Sequence, residues 1–308
     1  MRQAFIGALA ELAAEDERIV LLTGDLGFTV VEEFSRRWPK RFFNVGVAEQ
    51  NLVGVATGLA EAGFIPFVYS IVTFASLRPF EFIRNGPVLH RLPVRIVAVG
   101  QGFDYGVSGP THHGLDDLAV MRGQPGLTIV VPADRDRARA ALDATWSLEG
   151  PVYYRLAKNS AGPIPSHSGP FALDRLEVLC EGKDLLLISI GTITSEVIRA
   201  ATLLSEQGVS ATVALVGALD PFPSDDLRRL LSGFRVAVTV EEHYVTGGLG
   251  SAVAELIAGE GIACKLTRCG ISGMTLESGS QSYLRRLHGL APEAIAERAL
   301  SAVQFTTS

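Results

Sequence analysis

Three short segments of this sequence hold side chains able to do acid–base or binding chemistry, and each follows a run that reads as a β-strand. The first is Asn44-Val45-Gly46-Val47-Ala48-Glu49-Gln50, whose Glu49 opens the helix-like stretch Val53-Gly54-Val55-Ala56-Thr57-Gly58-Leu59-Ala60. Small residues there let a backbone or a flat ligand approach closely. A carboxylate at such a mouth is badly solvated unless a partner faces it. By spacing alone, a working carboxylate and a helix-start glutamate favoured by the dipole stand level. The second segment is Ser108-Gly109-Pro110-Thr111-His112-His113-Gly114, in a loop that also holds Gly100, Gly102 and Gly106. Adjacent histidines need not share a face, so the pair is a poor metal motif and suits general acid–base or hydroxyl-binding work better. The third, Thr23-Gly24-Asp25-Leu26-Gly27, places Asp25 just past a strand, where an aspartate also serves as a cap. Thr73-Phe74 sets an aromatic ring early in another loop-to-helix passage; by spacing alone a core phenylalanine is the favoured reading.

The elements that must position these groups follow an α/β rhythm. Phe5-Ile6-x-x-Leu9-x-x-Leu12 recurs at helical spacing and leads to the apolar strand Ile19-Val20-Leu21-Leu22. Strand-like runs follow at 42–45, 64–69, 94–99, 127–131 and 152–156. Continuous Val/Ile-rich runs of this kind are typical of parallel sheets covered on both faces. Loops after the carboxyl ends of such strands are where α/β proteins build sites. The Pro-, Gly- and Ser-rich stretch from Asn159 to Pro170 breaks the rhythm as a linker, after which strands at 184–191, 210–216 and 236–240 and a helix from Thr194 to Gln207 resume it. The expected plan is two parallel-sheet-based α/β domains, 1–160 and 178–308, joined by a linker over 161–177.

Bulk properties narrow the function classes. With 308 residues, 47% hydrophobic and 19% charged, the chain is long enough for two cored domains. A net charge of −6 gives no electrostatic reason to expect nucleic acid. No apolar run reaches the roughly 18 residues of a membrane span, and the opening Met1-Arg2-Gln3-Ala4-Phe5-Ile6 lacks a signal-peptide design. A cytoplasmic protein with no membrane partner is expected. The three cysteines, Cys180, Cys264 and Cys269, have no CxxC spacing and read as reduced thiols rather than a disulfide or zinc site.

Taken together, Gly46-Val47-Ala48-Glu49-Gln50, Gly109-Pro110-Thr111-His112 and the late Glu241-Glu242-His243-x-x-x-Gly247-Gly248-Leu249-Gly250 resemble the transketolase family of thiamine diphosphate enzymes. The likeness covers nearly the whole chain, which corresponds to the C-terminal half of a full-length transketolase: the pyrimidine-binding domain and the smaller C-terminal domain. It implies that Glu49 hydrogen-bonds N1′ of the cofactor aminopyrimidine and so switches on chemistry that belongs to the cofactor. It implies that Phe74 stacks on the aminopyrimidine, that Asp25 lies near the cationic thiazolium, and that His112 faces the donor sugar. His113 then supports the loop. Arg2 and Arg155 resemble the arginines that hold a substrate phosphate, with the Thr29 hydroxyl assisting Arg2. Where transketolases of common sugar phosphates carry an aspartate four residues before the histidine, this chain has Ser108, so the substrate hydroxyl read there is expected to differ. The turn Gly247-Gly248-Leu249-Gly250-Ser251 is either an anion cradle or, as the resemblance favours, a packing device.

The family's diphosphate and metal motif, which opens with Gly-Asp-Gly, does not occur in this sequence. The resemblance therefore implies a split transketolase. A partner subunit carrying the N-terminal half would ligate Mg²⁺ and the diphosphate, this chain would ligate no metal, and the assembly would be α2β2 acting on sugars or sugar phosphates. Rival readings are the β-subunit of a 2-oxo acid dehydrogenase, a C-terminal fragment of a deoxyxylulose phosphate synthase relative, and a non-catalytic scaffold of the same fold. Gly114-Leu115-Asp116-Asp117-Leu118-Ala119 after the two histidines favours the transketolase side over the dehydrogenase.

Overall fold

The computed structural model describes residues 1–159, 164–165 and 171–304. Its strands are β1 (Ile19–Thr23), β2 (Phe42–Asn44), β3 (Ile65–Ile71), β4 (Arg95–Val99), β5 (Thr128–Val130), β6 (Val152–Leu156), β7 (Leu176–Cys180), β8 (Leu185–Ile190), β9 (Ala211–Val216), β10 (Ala218–Asp220), β11 (Val236–Tyr244) and β12 (Lys265–Ile271). They form a seven-stranded sheet in the order β10-β5-β6-β4-β3-β1-β2 and a five-stranded sheet in the order β12-β11-β8-β9-β7. Pairing is parallel except at one edge of each sheet, where β10 meets β5 and β7 meets β9 antiparallel. Strands β1, β4, β6, β8 and β9 are buried along their whole length, as strands covered on both faces should be, with Arg95 and Arg155 as buried charges within them.

Two cores flank the first sheet. Phe5, Leu9, Phe34, Phe67 and Tyr154 fill one face beneath the helices Arg2–Glu15 and Arg135–Thr145. On the other, Val20, Leu22, Leu52, Val68 and Ile96 continue into Leu186, Ile188 and Ala214 of the second sheet and Leu249 of the helix Leu249–Glu260, so one apolar cluster spans both halves of the chain. Strand β10 ties them further, because it belongs to the later half yet hydrogen-bonds to the first sheet. Most of the expected linker stretch, 160–163 and 166–170, lies outside the described residues, while β7 starts at Leu176, inside the expected linker. Strands β7, β10 and β12 are additions to the sequence reading. All three are edge strands, partly solvated or very short, so they lack the apolar run that announces a buried strand.

No helix among the described residues is long and apolar enough to cross a membrane. The cysteines are free thiols; Cys264 and Cys269 are buried and Cys180 is exposed.

Candidate active site

The chemistry-bearing segments converge because four neighbouring parallel strands, β4-β3-β1-β2, all end on the same side of the sheet. Asp25 follows β1, Glu49 follows β2, Phe74 follows β3 and the loop with His112 follows β4.

Glu49 is the first residue of the helix Glu49–Glu61, where a carboxylate complements the helix dipole. Its side chain is only 1% exposed. A carboxylate so placed needs partners, and it has two: the Ser70 hydroxyl donates to Oε1 at 3.2 Å and Arg78 Nη1 donates to Oε2 at 2.9 Å. The Arg78 guanidinium also lies over the Phe74 ring, 4.0 Å from its centroid. Phe74 in turn meets the His112 imidazole edge-on, with centroids 5.1 Å apart. Glu49, Arg78, Phe74 and His112 are thus joined contact by contact. Gly24 borders the same carboxylate; a Cβ there would stand 3.3 Å from the Gly46 carbonyl and 3.5 Å from Glu49 Oε1.

His112 closes the second of two short 3₁₀ turns, Gly106–Ser108 and Pro110–His112. Gly109 between them has φ +81°, and a Cβ on it would lie 3.0 Å from Ser278 Oγ, so the turn requires glycine. The Thr111 hydroxyl is 2.9 Å from His112 Nδ1. Ser108 is exposed in the first turn of the same loop.

Asp25 and Asn44 lock the ends of β1 and β2 together. The Asp25 amide donates to Asn44 Oδ1 at 3.0 Å, and Asn44 Nδ2 donates back to Asp25 Oδ1 at 2.9 Å. The Gly46 amide donates to the same Asn44 Oδ1 at 3.0 Å, which sets the approach to Glu49. Asp25 and Thr29 both have positive φ, +59° and +68°, in an exposed loop. The Arg2 charge acts on the Tyr69 hydroxyl, and the Tyr69 ring packs on Gly27. Burial pushes the Tyr69 phenol up to about 12, so it stays protonated.

Arg155 corrects the expectation of a phosphate-holding role. It is buried within β6 and paired in a fork with Asp117, Nε to Oδ2 at 2.9 Å and Nη2 to Oδ1 at 3.1 Å. Nη2 also donates to the carbonyls of Gly114 at 2.6 Å and Glu242 at 3.3 Å. Nη1 faces Gln101 Oε1 at 3.4 Å, so all three guanidinium nitrogens meet protein acceptors, and Arg155 pins the histidine loop from behind instead of facing a substrate. Lys158, three residues on, is the cation that reaches the loop: its ammonium sits 4.6 Å over the Tyr105 ring, which tilts against His112 at 6.3 Å.

The later half of the chain braces this loop. Glu242 on β11 accepts from the Phe103 amide at 3.1 Å and from Arg285 Nη2 at 2.6 Å, and Gln281 Nε2 bridges it to Asp104. Burial first, then the Glu242 charge, pushes the Asp104 carboxyl up to about 7. His113 is buried, with Nε2 facing the Gly106 carbonyl at 3.4 Å, which suits the expected support of the loop. The glycine-rich turn proves to be a packing device that does cradle an anion, the chain's own. Glu241 Oε2 accepts from the Leu249 amide at 2.7 Å and Oε1 from the Gly250 amide at 2.8 Å. Burial raises Glu241 to about 7 even against those two hydrogen bonds. No group of three or more His, Cys, Asp or Glu among the described residues is placed to hold a metal ion.

Residues 1–163 match the family described as "Transketolase, pyrimidine binding domain", and residues 174–295 match "Transketolase, C-terminal domain". The chain belongs to the transketolase family. Among its relatives is a "Putative transketolase C-terminal section" of Methanocaldococcus jannaschii, 36% identical over 97% of this chain and 94% of its own length. A 6-deoxy-6-sulfo-D-fructose transketolase subunit of a Clostridium species is 36% identical over 97% of this chain and 93% of that one. A 1-deoxy-D-xylulose-5-phosphate synthase of Syntrophotalea carbinolica is 35% identical over 95% of this chain, but only 46% of its own length is covered. Among solved structures, a split-gene transketolase described as an inactive β4 tetramer superposes with a TM-score of 0.89 at 35% identity, covering 98% of both chains. This transketolase-family chain therefore spans almost the full length of C-terminal-section relatives, as expected for a split enzyme. Arg78 and Lys158 are the site residues that motif reading missed; an arginine a few residues past Phe74, at the same strand's carboxyl end, was the available signal for the first.

Proposed function

We propose that this chain is the pyrimidine-binding subunit of a split transketolase, which with an N-terminal-half partner transfers a two-carbon ketol unit from a ketose to an aldose. One observation carries the reading: a buried carboxylate, Glu49, opens a helix beside the Phe74 face and the His112 loop. A carboxylate at the edge of an aromatic face fits a flat heterocycle with a ring nitrogen, so these residues suit the pyrimidine of thiamine diphosphate. When bound, the cofactor would supply the nucleophilic carbon that accepts the ketol unit. Glu49 would hold the proton at the pyrimidine nitrogen, with Ser70 fixing the carboxylate's orientation. Phe74 would cover the ring, and Asp25 would face the cationic side of the cofactor. His112, turned by Thr111, would move a proton on the sugar. Arg2, assisted by Thr29, and Lys158 would draw an anionic sugar to the mouth, with Ser108 reading a substrate hydroxyl. Mg²⁺ and the diphosphate would take their ligands from the partner, in an α2β2 assembly in the cytoplasm.

The test is reconstitution. This chain with its partner subunit, thiamine diphosphate and Mg²⁺ should convert a ketose and an aldose to two new sugars, followed by product analysis. Release of carbon dioxide from a 2-oxo acid instead would select the dehydrogenase or deoxyxylulose phosphate synthase reading. No turnover by the complete mixture across sugar classes would leave the scaffold reading standing.

A further inference from the structure

We infer that Arg78 is a built-in competitor for the pyrimidine position, an inference that rests on the cofactor reading above. Its guanidinium makes, at one time, the two contacts on which that reading depends: an N–H donated to Glu49 Oε2 at 2.9 Å and a guanidinium carbon 4.0 Å over the centre of the Phe74 ring. A guanidinium is planar, cationic and edged with N–H groups. It therefore offers the carboxylate and the ring the same kind of surface that an aminopyrimidine protonated at a ring nitrogen would offer. Both cannot take the same face of Phe74 and the same lone pairs of Oε2.

Exposure shows which partner can yield. The Glu49 side chain is 1% exposed and the Arg78 side chain 42%. Arg78 stands just past the short helix Val72–Ser76, beside the exposed Leu77, so its long side chain can swing into solvent without disturbing the core. Glu49 cannot leave, because it starts a helix whose next turns pack Leu52, Val53 and Ala56 into the shared core. Arg78 thus keeps a buried carboxylate paired until a better-fitting ring arrives with the partner, then moves aside. The apparent cofactor affinity is lowered by the fraction of time Arg78 holds the place.

The inference predicts effects of opposite sign, which a merely structural ion pair would not produce. Arg78→Ala and Arg78→Lys variants of the full chain are combined with the partner subunit and Mg²⁺, and thiamine diphosphate is titrated by calorimetry. Thermal unfolding of the chain alone is measured in parallel. Arg78→Ala should tighten the cofactor by about five- to tenfold, the loss of a half-exposed ion pair and a cation–π contact, while lowering the melting temperature of the chain alone. Arg78→Lys keeps the charge but not the flat face; it should fold like the wild type and bind the cofactor about two- to threefold tighter. Unchanged or weaker binding by both variants, with the wild type binding, overturns the competitor role and makes Arg78 a bystander or a positioning residue. No cofactor binding by any of the three proteins overturns the cofactor reading itself.

Discussion

Two glutamates of this chain look alike in sequence and do opposite work in the fold. Glu49 and Glu241 both come at the carboxyl end of an apolar run and both stand beside a glycine-bearing helix start. Glu241 lies inside its strand, β11, and both its oxygens are taken by the backbone amides of Leu249 and Gly250. The space around it is closed: a Cβ on Gly248 would stand 1.9 Å from Glu241 Oε2. Glu49 is equally buried, yet its partners are two side chains, Ser70 and an arginine that is nearly half exposed. A carboxylate held by backbone amides has no freedom to exchange partners and serves as a cap. One held by a movable side chain can trade that partner for a ligand. Burial does not separate the structural acid from the one proposed to work on a cofactor; the replaceability of the partner does.

The comparison can be broken at several points, in order of expected effect. Asp117→Ala leaves Arg155 buried without its counter-charge and should cost about 3–5 kcal/mol of stability, measured by denaturant unfolding. It should also loosen the His112 loop, because Arg155 holds the Gly114 carbonyl. Glu241→Ala strands two helix-start amides and should cost roughly 1–3 kcal/mol with little loss of turnover per folded molecule. The Glu241 carboxyl titrates near 7 in the fold, above its usual value near 4.5, so the native state binds the proton more tightly. The stability this contributes is present at acid pH and is lost as pH rises from about 5 to about 7.5. Glu241→Gln should flatten that part of the unfolding profile. The smallest effect is Ser108→Asp, which should leave stability unchanged. It should shift relative kcat/KM between sugars that differ at one hydroxyl by about tenfold or less, read by competing substrates in one assay.

Much of the site was legible because its parts are local motifs tied to strand ends. Glu49 and His112 each sit in a contiguous signature, and the sheet brings those signatures together without further information. The resemblance assigns Arg155 to a substrate phosphate, but its surroundings in the strand point to a structural ion pair instead. It lies in Val152-Tyr153-Tyr154-Arg155-Leu156, an otherwise uncharged strand buried along its length, where a charge demands a partner, and Asp117 stood in a motif already in view. Arg78 is harder to read for a different reason. Its place just past Phe74 puts it near the site, but its partner Glu49 lies 29 positions away, and nothing in its own segment announces that the side chain will fold back over the ring. The edge strand β10 escaped because its pairing crosses from one half of the chain to the other, a tertiary fact with no local period.

The most direct test of the central claim sets Glu49→Gln beside Glu241→Gln in the complex reconstituted with the partner subunit, thiamine diphosphate and Mg²⁺. Ketol transfer and melting temperature are recorded for both variants. Glu49→Gln should lose about 10²- to 10⁴-fold in turnover, the range of a removed acid–base contact, while melting within a degree or two of the wild type and assembling normally. Glu241→Gln should melt earlier and keep its turnover. A Glu49→Gln complex that transfers the two-carbon unit at the wild-type rate would contradict the account.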